Sequence, residues 1–563
     1  MKEKVLRLRP PAAATALVLF LALTVAAMWP GLFSGHDTIV GNTGDPSFWI
    51  WNLTWVPFAL AHHLNPLVTN YLHYPGGTNL MWNGTILFPA LLLVPVTALW
   101  GPIVSYNVLA VLGVSLSAWC AFLALRRYIA GWLPATVGGL LYGFSPFMAV
   151  QITGHAQLFI AVFPPLLLIF ADELLARQRR PPALMGILLG VAAAAQLLTG
   201  EEVLAMTAIM AVLPLVALGI IHRAQVRERI GHAARAAAWA LGTFLLLGGY
   251  PLYLQFLGPQ VVHGALEGID TYVASPGSFV NPSSFELIGG HATVLDSSVY
   301  IGVPLLVLAV VIVVWLRRRT AVVVAAVALA SAMVFALGGH LVLHGVGTRV
   351  PLPWDVIDHL PVLDNILPVR LMLFGYLALA VLLAVFLDAA LRRGRGWTAG
   401  GLAAAAAALV FVIPALPLPS GQYTIPAFFT DGSVQLLSRS GSVLITPYEG
   451  QVPEAWQALA GMAFRTQVGV VYAPGPGGHM EGPDLDPLGQ ELIELDSLGQ
   501  PAPSAIPASQ RQTYVTDLSA HDVGSIVVGP SSGQDQVARF FTELLGTPGV
   551  STGGVVVWFD VHS

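Results

Sequence analysis

The sequence predicts a polytopic α-helical membrane protein of about eleven transmembrane helices, followed by a C-terminal exoplasmic α/β domain. Three observations carry this prediction. Of the 563 residues, 56% are hydrophobic and only 10% are charged, against roughly 25% charged in soluble domains. The chain also supplies many apolar runs near the roughly 20 residues that a membrane-spanning helix needs. Finally, all but six of the 25 Lys and Arg fall in tight clusters between those runs: Lys2 to Arg9, Arg126/Arg127, Arg177 to Arg180, Arg223 to Arg235, Arg317 to Arg319, and Arg392 to Arg395.

Placing the six clusters in the cytoplasm satisfies the positive-inside rule. Spans then fall near 12–32, 104–125, 133–150, 157–175, 183–199, 203–221, 236–257, 300–316, 320–338, 366–390 and 398–417. The N-terminus lies inside, and the region after residue 417 lies outside. Residues 86–101 form a further apolar run. A crossing there would push Arg126 and Arg127 outside, so the run is read as juxtamembrane or re-entrant. The N-terminal cations followed by an apolar run resemble a signal peptide, but no small-residue cleavage site follows, so the run reads as a retained first helix. The single cysteine, Cys120, lies in an apolar run and excludes an intrachain disulfide.

The domain reading is a membrane domain over 1–417, with a large first outer loop at 34–84, and a soluble α/β domain over 418–563. After about residue 418, Pro, Gly, Ser and charged residues rise. Short β-rich runs (Val443–Thr446, Val468–Tyr472, Ser525–Val528, Val555–Phe559) alternate with amphipathic stretches at Pro453–Phe464 and Gln534–Leu545, an α/β pattern. The Pro- and Gly-rich segment Gly475 to Ser509 reads as a long loop or a partner-ordered surface. Gly529 to Gly533 lies between a strand and a helix like a phosphate loop, but it lacks the Lys and the full spacing, and a plain turn is the better reading.

The first outer loop holds the most chemistry. Between Arg9 and Arg126 there is no Lys or Arg, and the only full charges are Asp37 and Asp45. Asp45-Pro46 followed by Phe48, Trp49, Trp51, Leu53, Trp55 and Phe58 suggests an aromatic helix lying in the membrane interface, with Asp45 as N-cap and Pro46 first in the helix. Capping is a complete structural account of Asp45. The functional reading makes it a general base just above the bilayer, with Asp37 as an alternative base or a metal ligand. Farther along, His73, Tyr74 and Asn83 suit sugar recognition, where rings stack and polar groups bond hydroxyls. Trp51, Trp55 and Trp82 read individually as an interfacial aromatic belt.

Other outward positions bring polar groups to the membrane surface. His155 and Gln157 follow the third span, and Glu201 and Glu202 form an adjacent acidic pair at membrane depth, where carboxylates are unusual. Arg370 is one of two cations in the outer loops of the membrane domain, the other being Arg349. An Arg so placed suits a phosphate through bidentate hydrogen bonds; the structural alternative is an ion pair with Asp364 or Glu202. Asp172 and Glu173 read as a solvated pair beside the basic cluster at Arg177. No zinc spacing or nucleotide-binding fingerprint stands out, and no nucleic-acid partner is expected.

A first span, an outer loop opening on an acidic residue, an apolar juxtamembrane run and a second span ending in Arg126-Arg127 together resemble the GT-C superfamily of integral-membrane glycosyltransferases. That superfamily includes protein mannosyltransferases, aminoarabinose transferases, oligosaccharyltransferase subunits and mycobacterial arabinofuranosyltransferases. The resemblance covers roughly residues 10–390. It implies an inverting hexosyl- or pentosyltransferase that moves a sugar from a polyprenyl-phosphate donor to a cell-envelope acceptor (glycan, lipid or protein) outside the plasma membrane. By that resemblance Asp45 is the catalytic base and Arg370 binds the donor phosphate. His73, Tyr74, Asn83, His155, Gln157, Glu201 and Glu202 contact substrate. Many members carry a paired acidic motif where this chain has Asp45-Pro46. No cofactor is required by this reading, and a divalent metal is compatible with it. Two alternatives are a flippase for lipid-linked sugars, which predicts matched broken spans in two halves that the sequence lacks, and a non-catalytic envelope assembly protein of the same fold.

Overall fold

The computed structural model describes residues 10–264, 272–343, 345–360, 363–438, 440–448, 450–467, 469, 471–475, 478, 480–481 and 486–561. The basic cluster Lys2 to Arg9 lies outside the described residues. The chain divides into two compact units: the first comprises 1–32, 109–250 and 265–419, and the second 33–108, 251–264 and 420–563. Residues 420–563 therefore share a unit with the first outer loop.

Among the described residues, seven helices are long and apolar enough to cross a membrane: Leu87–Leu125, Trp132–Gln151, Ala156–Arg177, Glu201–Ile221, Arg223–Leu257, Pro368–Leu391 and Arg395–Val412. Four shorter apolar helices accompany them: Ala12–Ala27, Pro182–Leu197, Val303–Leu316 and Thr320–Ala336. The chain is a polytopic helical membrane protein. In the first unit, Pro368–Leu391 is the most enclosed of the long helices and packs against Thr320–Ala336 and Trp132–Gly143. Small residues permit that approach: a Cβ on Gly138 would lie 3.0 Å from the Ala380 carbonyl oxygen.

The run at 86–101 is helical and continues into the helix beyond it, with a kink at Gly101 (φ 84°, ψ 170°). Glycine reaches that left-handed φ without a Cβ penalty, and Pro102 then restarts the helix at a position where no backbone donor is needed. Asp172 and Glu173 are not solvated. Both side chains are only 6% exposed; Arg127 bonds Asp172 at 2.8 Å and Glu173 at 2.7 Å, and Arg177 bonds Asp172 at 2.6 Å. Burial so deep requires paired charges, and the second cation comes from a cluster some 45 positions earlier in sequence.

In the second unit, a four-stranded sheet is built from β1 (Ser442–Thr446), β2 (Val523–Val528), β3 (Val550–Thr552) and β4 (Val555–Trp558). Its order is β3-β4-β2-β1, with β1 and β2 parallel and the other pairs antiparallel. β1 and β2 are buried throughout, as strands covered on both faces are. Helices Val452–Leu459, Pro487–Asp496 and Ala508–Ala520 join them, and Gln534–Leu545 follows β2. The segment expected as one long loop therefore holds a helix, Pro487–Asp496, started by an Asp486 side-chain cap to the Gly489 N–H. Among the described residues of 468–472 there is no strand; the short strand here is Ala473–Pro474. The Gly529 to Gly533 turn cradles no anion site, because the buried carboxyl of Asp496 already sits beside Ser531 and the Gly533 amide.

The aromatic helix Pro46–Ala61 is buried over most of its length, with only its last turn exposed, and it packs against Val452–Leu459 within the same unit. A helix apolar all round is a core helix. Trp51 and Trp55 are fully enclosed, stacked 5.3 Å apart, and their ring N–H groups donate to Gln457 Oε1 at 2.5 Å and to the Pro66 carbonyl at 3.1 Å. Trp82 donates to the Gln255 carbonyl at 2.6 Å. These indoles serve packing and hydrogen bonding within the unit.

Candidate functional site

In the first unit, polar ends of several helices converge. Glu201 and Glu202 form the first turn of helix Glu201–Ile221, where the backbone amides favour carboxylates. Arg370 lies in the short 3-10 turn Pro368–Leu371 that opens helix Met372–Leu391. Its Nη1 donates to Glu202 Oε2 at 2.5 Å, and the two side chains are 16% and 15% exposed. Of the structural partners foreseen for Arg370, Glu202 is the one engaged.

Around this pair lie amides and carboxyls whose hydrogen-bonding capacity is not spent among the described residues. Gly200 presses on Gln157, since a Cβ there would lie 2.8 Å from Gln157 Cβ. Gln157 Oε1, Glu201 Oε2 and Glu202 Oε1 are buried without a hydrogen-bond partner. Gln196, fully buried, donates to the Gly200 carbonyl at 2.9 Å while its Oε1 has no partner. Buried polar atoms left without a partner are uncommon in native proteins, which marks this cluster as a candidate site. His155 stands at the N-cap of the short helix Ala156–Phe159 and is half-buried, with no side-chain cap bond.

The second unit holds the residues of the first outer loop. Asp45 occupies the N-cap position of Pro46–Ala61 with Pro46 after it, yet its side chain makes no cap bond. Its Oδ1 instead accepts from Gln451 Nε2 at 2.9 Å. Asp37 accepts from Gln422 Nε2 at 3.0 Å, next to the paired strands Thr38–Val40 and Ser420–Gln422, so its carboxyl is tied to strand pairing. Asn83 is saturated: its Nδ2 donates to Thr78 Oγ1, the Asn79 carbonyl and the Tyr472 carbonyl, each at 3.0 Å, and its Oδ1 accepts from the Tyr472 N–H at 2.5 Å. It clamps the loop. His73 takes a left-handed backbone (φ 52°) in the turn closed by the Gly77 N–H. The Tyr74 hydroxyl lies 3.5 Å from Asp522 Oδ2, and its ring lies beneath Arg465.

Among the described residues, the metal-capable group is Asp355, Asp358 and His359 in the first unit, with ligand atoms within 4.8 Å of one another. Neither Asp37 nor Asp45 belongs to it.

The whole chain superposes on a known architecture. The cryo-EM structure of arabinofuranosyltransferase AftD from Mycobacteria matches with a TM-score of 0.54 and 17% identity, over 99% of this chain and 40% of that one. The fold is GT-C-like. A mutant of AftD matches equally, with a TM-score of 0.54, 16% identity, and 99% and 42% coverage. Archaeal oligosaccharyltransferase AglB from Archaeoglobus fulgidus gives a TM-score of 0.47 at 13% identity, over 92% of this chain and 69% of that one. The chain thus spans about 40% of the length of AftD. No family model and no curated protein matches it.

Within this GT-C-like fold, sequence reasoning missed Gln196, Gln451 and Arg465. Gln196 had a signal, a lone amide in the alanine-rich run before Gly200. Gln451 had none, because it meets Asp45 across 406 positions.

Proposed function

We propose that the protein is a membrane glycosyltransferase that moves a sugar from a polyprenyl-phosphate donor to an acceptor hydroxyl of the cell envelope. The observation that carries this reading is the Asp45 carboxyl: it occupies an N-cap position, makes no cap bond, and is held from the side by Gln451. The Gln451 contact orients this carboxylate for the role of base, and the likeness of the fold to AftD supports the class of reaction.

The chemistry follows from the groups present. The acceptor oxygen attacks the anomeric carbon, the bond from that carbon to the phosphate oxygen breaks, and Asp45 takes the acceptor proton. Attack opposite the leaving group inverts the anomeric centre. Arg370 stabilises the negative charge gathering on the departing polyprenyl phosphate. Glu202 fixes its guanidinium from one edge, which pre-orients the other N–H groups. Gln157, Gln196 and Glu201 offer the unspent acceptors for sugar hydroxyls, and His155, His73 and Tyr74 are secondary contacts. Asn83 and Asp37 are structural in this scheme.

Topologically, the reading takes the seven long and four shorter apolar helices as eleven crossings. The cation clusters then lie in the cytoplasm, and residues 418–563 lie outside the plasma membrane. The test is purified protein with a radiolabelled polyprenyl-phosphate sugar and a mixture of envelope acceptors. Transfer predicts that lipid-linked label is consumed and polyprenyl phosphate released. Intact donor, merely redistributed across vesicle leaflets, would mark a flippase instead.

A further inference from the structure

We propose that the second unit carries a binding groove for a neutral saccharide beside Arg465, which holds the glycan acceptor. The inference rests on the glycosyl-transfer reading above and deepens it by naming where an acceptor chain is gripped. The groove has a volume of about 170 Å³ and is lined by Tyr71, Gln435, Ser438, Gly441, Phe464 and Arg465, among others. Neither Asp45 nor Gln451 lines it.

The Arg465 guanidinium carbon lies 5.6 Å from the Tyr71 ring centre and 5.5 Å from that of Tyr74. Cation–π contact with two rings holds an exposed arginine in place at low entropic cost. The shelf is firm: Tyr71 packs against Trp55 and Phe58, with ring centres 5.2 and 5.3 Å away. The backbone beneath is pinned, with the Thr466 N–H donating to the Tyr71 carbonyl at 3.0 Å and the Tyr74 N–H to the Thr466 carbonyl at 3.1 Å. Among the described residues Arg465 forms no ion pair. Its planar fork of donors is therefore preorganised, and no ion pair among the described residues spends it.

The neighbours decide the ligand class. Gln435 supplies a donor and an acceptor and Ser438 a hydroxyl, and beside the groove the Tyr74 phenol oxygen lies 3.5 Å from the Asp522 carboxylate. Gly441, on the groove wall, is packed directly against Asp522. A site for phosphate or carboxylate collects donors and keeps carboxylates away. A site mixing donors and acceptors beside aromatic rings matches a sugar, which presents hydroxyls of both kinds around an apolar ring.

The experiment is calorimetric titration of the full chain in detergent, without donor, using a linear arabinofuranosyl oligosaccharide, an oligomannoside and a polygalacturonate. At least one neutral glycan is expected to bind. Arg465→Ala should weaken it about tenfold and Gln435→Ala by a smaller factor, with unfolding temperatures matching the unsubstituted protein. Absence of neutral-glycan binding, equal affinity in both variants, or tighter binding of polygalacturonate would overturn the proposal. Donor consumption, measured separately, distinguishes the two readings. A chain that consumes donor but binds no neutral glycan loses the groove alone, whereas one that binds glycan but never consumes donor loses the transferase.

Discussion

Asp45 and Arg370 illustrate how a charged side chain divides between structure and chemistry. Asp45 is placed to cap a helix but is drawn sideways by Gln451, so replacing the carboxylate should leave the helix intact. Arg370 is committed on one edge to Glu202 at 2.5 Å in a largely enclosed setting. Removing one member of such a pair leaves the other charge uncompensated. Glu202→Gln is expected to destabilise the protein by roughly 1–3 kcal/mol, less than a fully buried pair because some solvent reaches it. The double variant Glu202→Gln/Arg370→Gln should recover part of that loss. Denaturant unfolding in micelles measures both; simple addition of the two single effects would contradict the pairing. Asn83 shows the opposite outcome. An amide beside aromatic residues looks like a sugar contact in the sequence, but its donors and an acceptor lone pair are consumed by Thr78, Asn79 and the backbone of Tyr472.

At the scale of elements, the segment before the eighth apolar helix holds a buried carboxyl with a definite pH consequence. Glu286 is 2% exposed, and its Oε2 accepts from the Ser283 N–H at 2.7 Å and the Ser283 hydroxyl at 3.0 Å. The adjacent backbone pairs with the end of the last apolar helix, the Leu287 N–H donating to the Ile413 carbonyl at 2.8 Å. Burial raises the Glu286 pKa above its ordinary value of 4.5, only partly offset by the Ser283 donors. The native state therefore holds this proton more tightly than the unfolded chain. Its contribution to stability is complete below the unfolded value and is lost as pH rises through the raised native value. Glu286→Gln, fixed in the neutral form, should flatten that loss in unfolding scans run between about pH 4 and pH 8. Parallel curves for the two proteins would remove Glu286 as the source.

For the whole molecule, the sequence signals that worked were the long-range averages. Apolar runs, the strand patterns at 443–446, 525–528 and 555–559 and the Gln534–Leu545 amphipathic stretch are properties of single segments, set by local burial, and helices and strands lie at those places, but not at 468–472. What the sequence concealed was pairing over distance. Nothing in the Pro46–Ala61 segment says that residues 452–459 cover it, so an aromatic-rich helix reads as interfacial when it is core. The same holds for Asp45 with Gln451 and Arg127 with Asp172, whereas the Arg370–Glu202 pair was among the partners the sequence offered. The proposed orientation has its own test at this scale. In a Cys120→Ala background, a cysteine at the exposed Leu498 should react with a membrane-impermeant maleimide in intact cells. Labelling only after lysis would place residues 418–563 in the cytoplasm and invert the topology.

The most direct measurement is sugar transfer from radiolabelled polyprenyl-phosphate donor by purified Asp45→Asn protein, compared with the unsubstituted chain at equal folded concentration. Loss of a general base lowers the rate by roughly 10²–10⁴-fold, with the unfolding temperature close to that of the unsubstituted chain because the asparagine Oδ1 can still accept from Gln451 Nε2. Transfer by Asp45→Asn at the unsubstituted rate would contradict the assignment of Asp45 as the base.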